Sequence, residues 1–180
     1  MTPDIAAEMI AGGSYHEGCP VPLAKLRYLR IRYHDLQDRT KEGALIVHED
    51  VAAEAAEIFE VLYREGFPIA GMEPVSHFKG DDEASMRADN TSAFNCRYIA
   101  GTKKFSKHSY GKAIDINPLL NPCVQKTTFS PTNAAAYLNR HRKLPGMIHK
   151  DDFIVHLFQK HGWKWGGNWH SLKDYQHFEK

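Results

Sequence analysis

Strand-like and helix-like segments follow one another irregularly along this chain, and that order restricts its fold more than any other feature. Two strand-like segments, 25–36 and 43–48, precede the clearest helix, 50–66. A doubly wound parallel sheet needs regular alternation of strands and helices, which is absent. We therefore predict an α+β fold with a small antiparallel sheet and helices packed on one side. The length of 180 residues suits a single domain.

The individual elements are predicted from periodicity and from capping residues. In the helix 50–66, Asp50 is the expected N-cap and Gly66 the expected end. Its apolar stripe comprises Val51, Ala55, Ile58, Phe59 and Leu62. The other predicted helices are 133–141 and 151–162, with a short helix and a loop within 80–95. The other predicted strands are 72–78, 111–117 and 174–179, the last including its approach.

Charge and hydropathy exclude two classes of protein. Lys and Arg total 23 against 22 Asp and Glu, so the formal net charge is +1. A duplex-binding protein would show a basic face, so we expect no nucleic-acid partner. No run approaches the roughly 18 apolar residues of a membrane helix. The N-terminal segment lacks the pattern of a signal peptide, which suggests either a cytoplasmic protein or a mature form with an added Met.

The three cysteines, Cys19, Cys96 and Cys123, form no C-x-x-C pair. An odd number leaves at least one thiol unpaired within the chain. One disulfide would fit an exported protein, and three free thiols would fit a cytoplasmic one. Composition leaves both states open.

His108 and Asp115 lie in the segment "FSKHSYGKAIDINP", separated by six residues. In a strand, Ile114 and Ile116 would point to the core and Asp115 to the opposite face. For Asp115 alone, a solvent-facing position on an edge strand is the simpler interpretation. With His177 near the C-terminus, however, two imidazoles and one carboxylate match a catalytic zinc set that leaves the fourth position for water.

Two carboxylates near His177 compete for the role of general base. Period-two geometry places Glu179 on the face of His177, whereas Asp174 would point to the opposite face. Choosing Asp174 requires the chain to bend between Asp174 and His177. The glycines Gly166 and Gly167, with the residues that follow them, make an irregular approach plausible.

Two motifs resemble those of a known family. "SKHSYGKAID" fits the pattern S-x-H-x-x-G-x-A-x-D, and "DYQH" fits an acidic residue two residues before a His. Together they are similar to the zinc D-alanyl-D-alanine carboxypeptidases of the VanY type and to related endolysins that cut L-alanyl-D-glutamate bonds. The segments "DNTSAFNCR", "INPLLNP", "PGMI" and "GWKWGGNW" extend the resemblance over about residues 19–180.

This resemblance implies a hedgehog/DD-peptidase-like fold and assigns roles to the motif residues. His108, Asp115 and His177 would bind one Zn²⁺ per chain, and Asp174 would be the general base and then the acid. It also implies an Arg that binds the oxyanion or the substrate carboxylate. We prefer Arg97 to Arg87, because Arg97 lies just before the predicted metal strand.

Further residues are expected around the site. Ser106 would orient a metal ligand or, alternatively, open a turn. Tyr110, Trp165 and Trp169 would line the peptide groove. Cys19 and Cys96 would form the disulfide in an exported protein, since both lie in segments that resemble an exported subgroup.

The leading functional hypothesis is a zinc peptidase that removes terminal D-alanine from peptidoglycan stem peptides. The alternatives are a peptidoglycan endopeptidase, cutting L-Ala-D-Glu bonds or cross-links, and a non-catalytic zinc domain that binds peptidoglycan. A nucleic-acid hydrolase is disfavoured by the charge balance. We expect a monomer with no membrane span that acts as a mature form in the periplasm or cell wall.

Overall fold

The computed structural model describes all 180 residues as a mixed α/β structure with four α-helices and ten strands, eight of which are short. The helices are α1 (Pro3–Ala11), α2 (Glu49–Arg64), α3 (Asp82–Arg87) and α4 (Phe153–Lys160). The first strands are β1 (Leu26–His34), β2 (Thr40–His48), β3 (Gly71–Met72), β4 (Asn90–Thr91) and β5 (Ala113–Asp115). The remaining strands are β6 (Cys123–Gln125), β7 (Thr128–Ser130), β8 (Lys164–Trp165), β9 (Lys173–Asp174) and β10 (His177–Glu179). None of the helices combines the length and apolar character needed to cross a membrane.

A long antiparallel hairpin and α2 form the scaffold. Strand β1 pairs with β2 from Leu26 opposite His48 to His34 opposite Thr40. The predicted apolar stripe of α2 is buried as expected. The predicted cap is wrong, because the side chain of His48 accepts the backbone N–H of Asp50, which itself lies in the first turn.

The central sheet holds the predicted metal strand and has the order β5-β10-β8. His177 lies opposite Asp115, and Phe178 lies opposite Ile114 on one side and Trp165 on the other. Ile114, Ile116 and Phe178 are completely buried in the main core. The alternation predicted for this segment is therefore present, with apolar side chains in the core and Asp115 on the other face.

Strand β9 belongs to a different sheet, of order β7-β6-β9, in which Asp174 lies opposite Cys123. Between Asp174 and His177 the chain passes from this sheet to the central one, which provides the bend that the choice of Asp174 requires.

Four small sheets replace the single sheet expected from the sequence, and one of them, β3-β4, is parallel. The predicted strand 72–78 ends at Met72, because Pro74 starts a 3₁₀ turn over Val75–Phe78. The predicted helix 133–141 shrinks to a 3₁₀ turn at Ala134–Tyr137. Only Ala134 of this turn is buried, so it has no apolar stripe to stabilise a longer helix.

The N-terminal helix α1 was not predicted, although Thr2 caps it and Pro3 occupies its first turn. It packs in a second, smaller core with the N-terminal end of β1. A disulfide between Cys19 and Cys96 ties this part to the segment after β4, with 77 residues of sequence separation. Cys123 is the free cysteine.

Candidate metal centre and active site

His108 is carried by a 3₁₀ turn, Lys107–Tyr110, that is fixed at both ends. Ser106 accepts the backbone N–H of His108 at 3.3 Å, and Gly111 ends the turn with a φ of 65°. A Cβ on Gly111 would lie 2.6 Å from the backbone nitrogen of His48, whose N–H donates to the Gly111 carbonyl at 2.9 Å. The turn is therefore anchored to the end of β2, and only glycine fits at its close.

The ring of His108 is oriented by a backbone carbonyl, not by Ser106. Its Nδ1 lies 2.5 Å from the carbonyl oxygen of Ala93, which can only accept, so Nδ1 carries the proton. The other ring nitrogen, Nε2, then presents a lone pair to the site. Such an outer acceptor fixes the tautomer of a metal-binding imidazole.

His177 has an equivalent outer partner in Glu179. Nε2 of His177 lies 3.3 Å from the Glu179 carboxylate, while Nδ1 points to Asp115. Period-two geometry placed Glu179 on the face of His177, and it does lie there. Its contact is with the outer nitrogen of the ring, which suits a group that orients His177.

The inner atoms of the three predicted ligands converge. Nε2 of His108 lies 3.1 Å from Asp115 Oδ2 and 3.2 Å from His177 Nδ1, and His177 Nδ1 lies 2.9 Å from Asp115 Oδ1. Two ligands about 2.0–2.1 Å from a tetrahedral zinc would be separated by roughly 3.3 Å. The three side chains are at most 8% exposed. Two imidazole lone pairs and a carboxylate packed this closely need a cation between them, so the donor set fits zinc.

The pKa shifts of Asp115 and His177 also indicate that the buried cluster needs a positive charge. Burial alone would raise the pKa of Asp115, but the charges and hydrogen bonds of His108 and His177 hold it well below its ordinary range. Burial alone would lower the pKa of His177, but hydrogen bonds to Asp115 and Glu179 raise it to about 10.

Asp174 reaches the same cavity from the neighbouring sheet. The residue as a whole is partly exposed, but its Oδ1 is buried and has no hydrogen-bond partner. Burial raises the pKa of Asp174 to about 6, against the opposing charge of His177. A carboxyl group with a free oxygen and a pKa close to neutrality is suited to accepting and returning a proton.

The glycine turn after β8 lets Asp174 and His177 approach. A Cβ on Gly166 would lie 2.7 Å from the Asp174 carbonyl oxygen, 2.9 Å from Asp174 Cβ and 3.3 Å from His177 Cβ. Gly167 packs against the ring of Trp165 at a hypothetical Cβ distance of 2.3 Å. Both glycines are therefore required by close contacts.

A cavity of about 390 Å³ opens over the three predicted ligands and Asp174. Its wall includes Arg97, whose guanidinium forms an ion pair with the Asp82 carboxylate at 2.8 Å. Nε of Arg97 is buried without a hydrogen-bond partner. Trp169 also lines the cavity, with its ring centroid 5.3 Å from that of His177. Arg97 and Trp169 thus line the cavity that holds the three predicted ligands, and their roles in substrate binding stay predictions.

Three other expectations need correction. Trp165 is 3% exposed, and its indole N–H donates to the Tyr175 carbonyl, so it belongs to the core and does not line the groove. Tyr110 lines a different cavity, which shares Lys107 with this one. Ser106 acts through the backbone as the cap of that turn, which is the simpler of its two predicted roles. The rejected alternative Arg87 is exposed and outside the cavity.

Sequence reasoning did not identify the Ala93 carbonyl, Asp82 or the free thiol of Cys123 as parts of the site. The thiol lines the cavity, and burial, with the charge of Asp174, raises its pKa. No local sequence signal marks these groups, because each arrives through long-range pairing. For Asp82, the only sequence signal was its position at the start of the helix α3.

Comparison with known proteins gives one family match, over the C-terminal part of the chain. Residues 100–180, which hold all three predicted ligands and Asp174, match the family model described as D-alanyl-D-alanine carboxypeptidase. Searches of curated proteins and of solved structures find no match. The match spans less than half of the chain and includes both motifs that resemble the VanY-type peptidases, so it supports this family for residues 100–180.

Proposed function

We propose that this protein is a zinc-dependent peptidase that removes the terminal D-alanine from peptidoglycan stem peptides, on a hedgehog/DD-peptidase-like fold. One observation carries the proposal: three metal-compatible side chains converge beside a carboxylate, Asp174, whose Oδ1 is buried and unpartnered. A purely structural zinc site fills its fourth position and needs no such base.

His108 Nε2, Asp115 and His177 Nδ1 would hold one zinc ion, with Ala93 and Glu179 fixing the two rings. When bound, zinc polarises the scissile carbonyl and lowers the pKa of a water molecule. The protein supplies ligands on rigid elements, the paired strands β5 and β10 and the capped turn before β5.

Asp174 would move the proton. Its carboxylate, which lines the cavity, takes a proton from the attacking water and then delivers it to the nitrogen of the leaving D-alanine. Its position at the end of β9, in another sheet from His177, lets it approach the reacting atoms without competing as a metal ligand.

Arg97 would bind the negative charge of the substrate. The ion pair with Asp82 holds one edge of the guanidinium and fixes its orientation, and the rest of the side chain lines the cavity. A fixed guanidinium suits the terminal carboxylate of a stem peptide or the developing oxyanion. A carboxylate-binding Arg favours release of a terminal residue over cleavage inside the stem. Trp169 would form the apolar wall of the groove.

A peptidase of this type would work outside the cytoplasm, where peptidoglycan lies. The Cys19–Cys96 disulfide is compatible with an oxidising compartment. We expect a monomer whose only macromolecular partner is the peptidoglycan peptide.

Mass spectrometry of muropeptides after incubation with the zinc-loaded protein tests this function. Loss of one alanine from pentapeptide stems supports the carboxypeptidase. Split stems or split cross-links would replace it with the endopeptidase, and unchanged muropeptides would favour the non-catalytic domain. Asp174→Asn is the matched control and should keep the fold and zinc but lose turnover by roughly 10²–10⁴-fold.

A further inference from the structure

A second cavity, of about 420 Å³, lies next to the metal site. Its lining residues are mostly polar and include only one aliphatic side chain: Val21, His48, Asp50, Lys107, Tyr110 and Lys112. Lys107 lines both cavities, so the two are neighbours across a single side chain.

The turn that carries His108 separates the two cavities. A 3₁₀ helix rises about 2 Å per residue, so Tyr110 lies only about 4 Å further along the axis than His108. His108 faces the metal site and Tyr110 faces the second cavity. The anchoring of Gly111 against the backbone of His48 keeps this arrangement fixed. The two cavities are therefore neighbours on this turn and share the side chain of Lys107.

The second cavity offers an aromatic face surrounded by hydrogen-bonding groups. Tyr110 is 39% exposed, which is unusual for a large aromatic side chain in this protein. Lys112 Nζ lies 2.8 Å from the Asp50 carboxylate. Nδ1 of His48 lies 3.1 Å from the Asp50 backbone nitrogen and 3.2 Å from the Asp50 carboxylate, so Nε2 is the ring nitrogen that Asp50 does not contact.

This combination fits a sugar better than an apolar or a purely anionic ligand. The aromatic face packs against the C–H side of a pyranose ring. Ammonium and imidazole donors and a carboxylate acceptor match its hydroxyl, amide and carboxylate groups.

We propose that the second cavity binds the amino-sugar end of the substrate, so that the enzyme acts on stem peptides still attached to glycan. This inference rests on the proposed function, because it assigns a binding site to the part of the same substrate that lies away from the scissile bond. Contacts of Tyr110, Lys107 and Lys112 with the sugar hold the stem peptide in the groove over the metal site. The protein thereby prefers glycan-linked substrates to free peptides.

Two probes test the preference: disaccharide-pentapeptide and the same pentapeptide without the disaccharide, each with the zinc-loaded protein. We expect kcat/KM to be about tenfold or more higher for the disaccharide form, mainly through KM, as the gain from a few remote contacts. Equal values for the two probes would overturn the inference and leave the proposed function intact. Failure to hydrolyse either probe would overturn the proposed function and, with it, the assignment of this cavity.

Variants locate the preference in the cavity. Tyr110→Ala and Lys112→Met should reduce the ratio of the two kcat/KM values towards one. Phe153→Ala is the matched control, since Phe153 is an aromatic residue of similar exposure, 42%, outside both cavities. An unchanged ratio in Tyr110→Ala, or a reduced ratio in the control, would contradict the assignment.

A binding measurement gives a readout that does not depend on turnover. The disaccharide alone, titrated into the protein, should shift the NMR signals of Tyr110 and Lys112. Shifts confined to other surfaces would place the sugar elsewhere and overturn the proposal.

Discussion

Replacing Gly166 by alanine should damage the site without touching any reactive group. The added Cβ would lie 2.7 Å from the Asp174 carbonyl oxygen, whereas ordinary contact begins at 3.4 Å, a shortfall of about 0.7 Å. The same Cβ would press on Asp174 Cβ and His177 Cβ. The segment that carries both residues must therefore move away, or the glycine turn must distort.

The size of the effect follows from this displacement. Overpacking of a rigid region costs about 1–3 kcal/mol of unfolding free energy. A misplacement of about 1 Å can reduce turnover 10²-fold, so a shift of about 0.7 Å should reduce kcat/KM by roughly 10- to 10²-fold. Gly166 has no positive φ, so these losses come from contact and not from backbone strain.

Gly71→Ala is the matched control, because a Cβ there meets nothing within 4 Å and its φ is ordinary. It should leave kcat/KM unchanged and raise the unfolding free energy by at most about 1 kcal/mol. Urea unfolding and steady-state kinetics on a stem pentapeptide measure both effects. Wild-type stability and turnover in Gly166→Ala would refute the close approach of Asp174 and His177 to this turn.

Three further predictions concern groups around the site. Glu179→Gln should stay within a few-fold of wild-type turnover, and a loss of about 10²-fold would instead make Glu179 the general base. Glu179→Ala should weaken zinc affinity about 10- to 100-fold in a competition titration, because it removes the group that orients His177. Arg97→Ala should reduce turnover at least about 10²-fold, with Arg87→Ala at wild-type rate, and the opposite result would exchange their roles. Thiol counting under denaturing conditions should give one free thiol, and reduction of Cys19–Cys96 should lower the unfolding free energy by up to about 4.5 kcal/mol in a loop of this length. Three free thiols in protein from an oxidising compartment would contradict the pairing.

Local periodicity predicted the parts of the structure in which each residue's environment follows from its near neighbours. The stripe of α2 is buried as its spacing requires, and Ile114 and Ile116 enter the core on the face opposite Asp115. The motif around His108 and the acidic-x-x-His spacing before His177 likewise identified residues that the fold brings together.

The features that the sequence did not predict depend on contacts between residues that are far apart in the chain. The position of Trp165 beside two glycines predicts a groove residue. Its pairing with Phe178 in the central sheet places it in the core instead. Tyr110 is only two residues from His108, yet a 3₁₀ turn directs it into the neighbouring cavity. The carbonyl of Ala93 carries no side-chain signal at all, so its role in orienting His108 emerges only from the packed structure.

Metal content tests the central claim most directly. Purified protein, stripped with chelator, reloaded with zinc and desalted, should contain one zinc per chain by elemental analysis. His108→Ala should lose both the metal and the activity, since it removes one of only three protein ligands. Asp174→Asn should retain stoichiometric zinc. Absence of stoichiometric zinc in the wild-type protein, or full zinc occupancy in His108→Ala, would contradict the account.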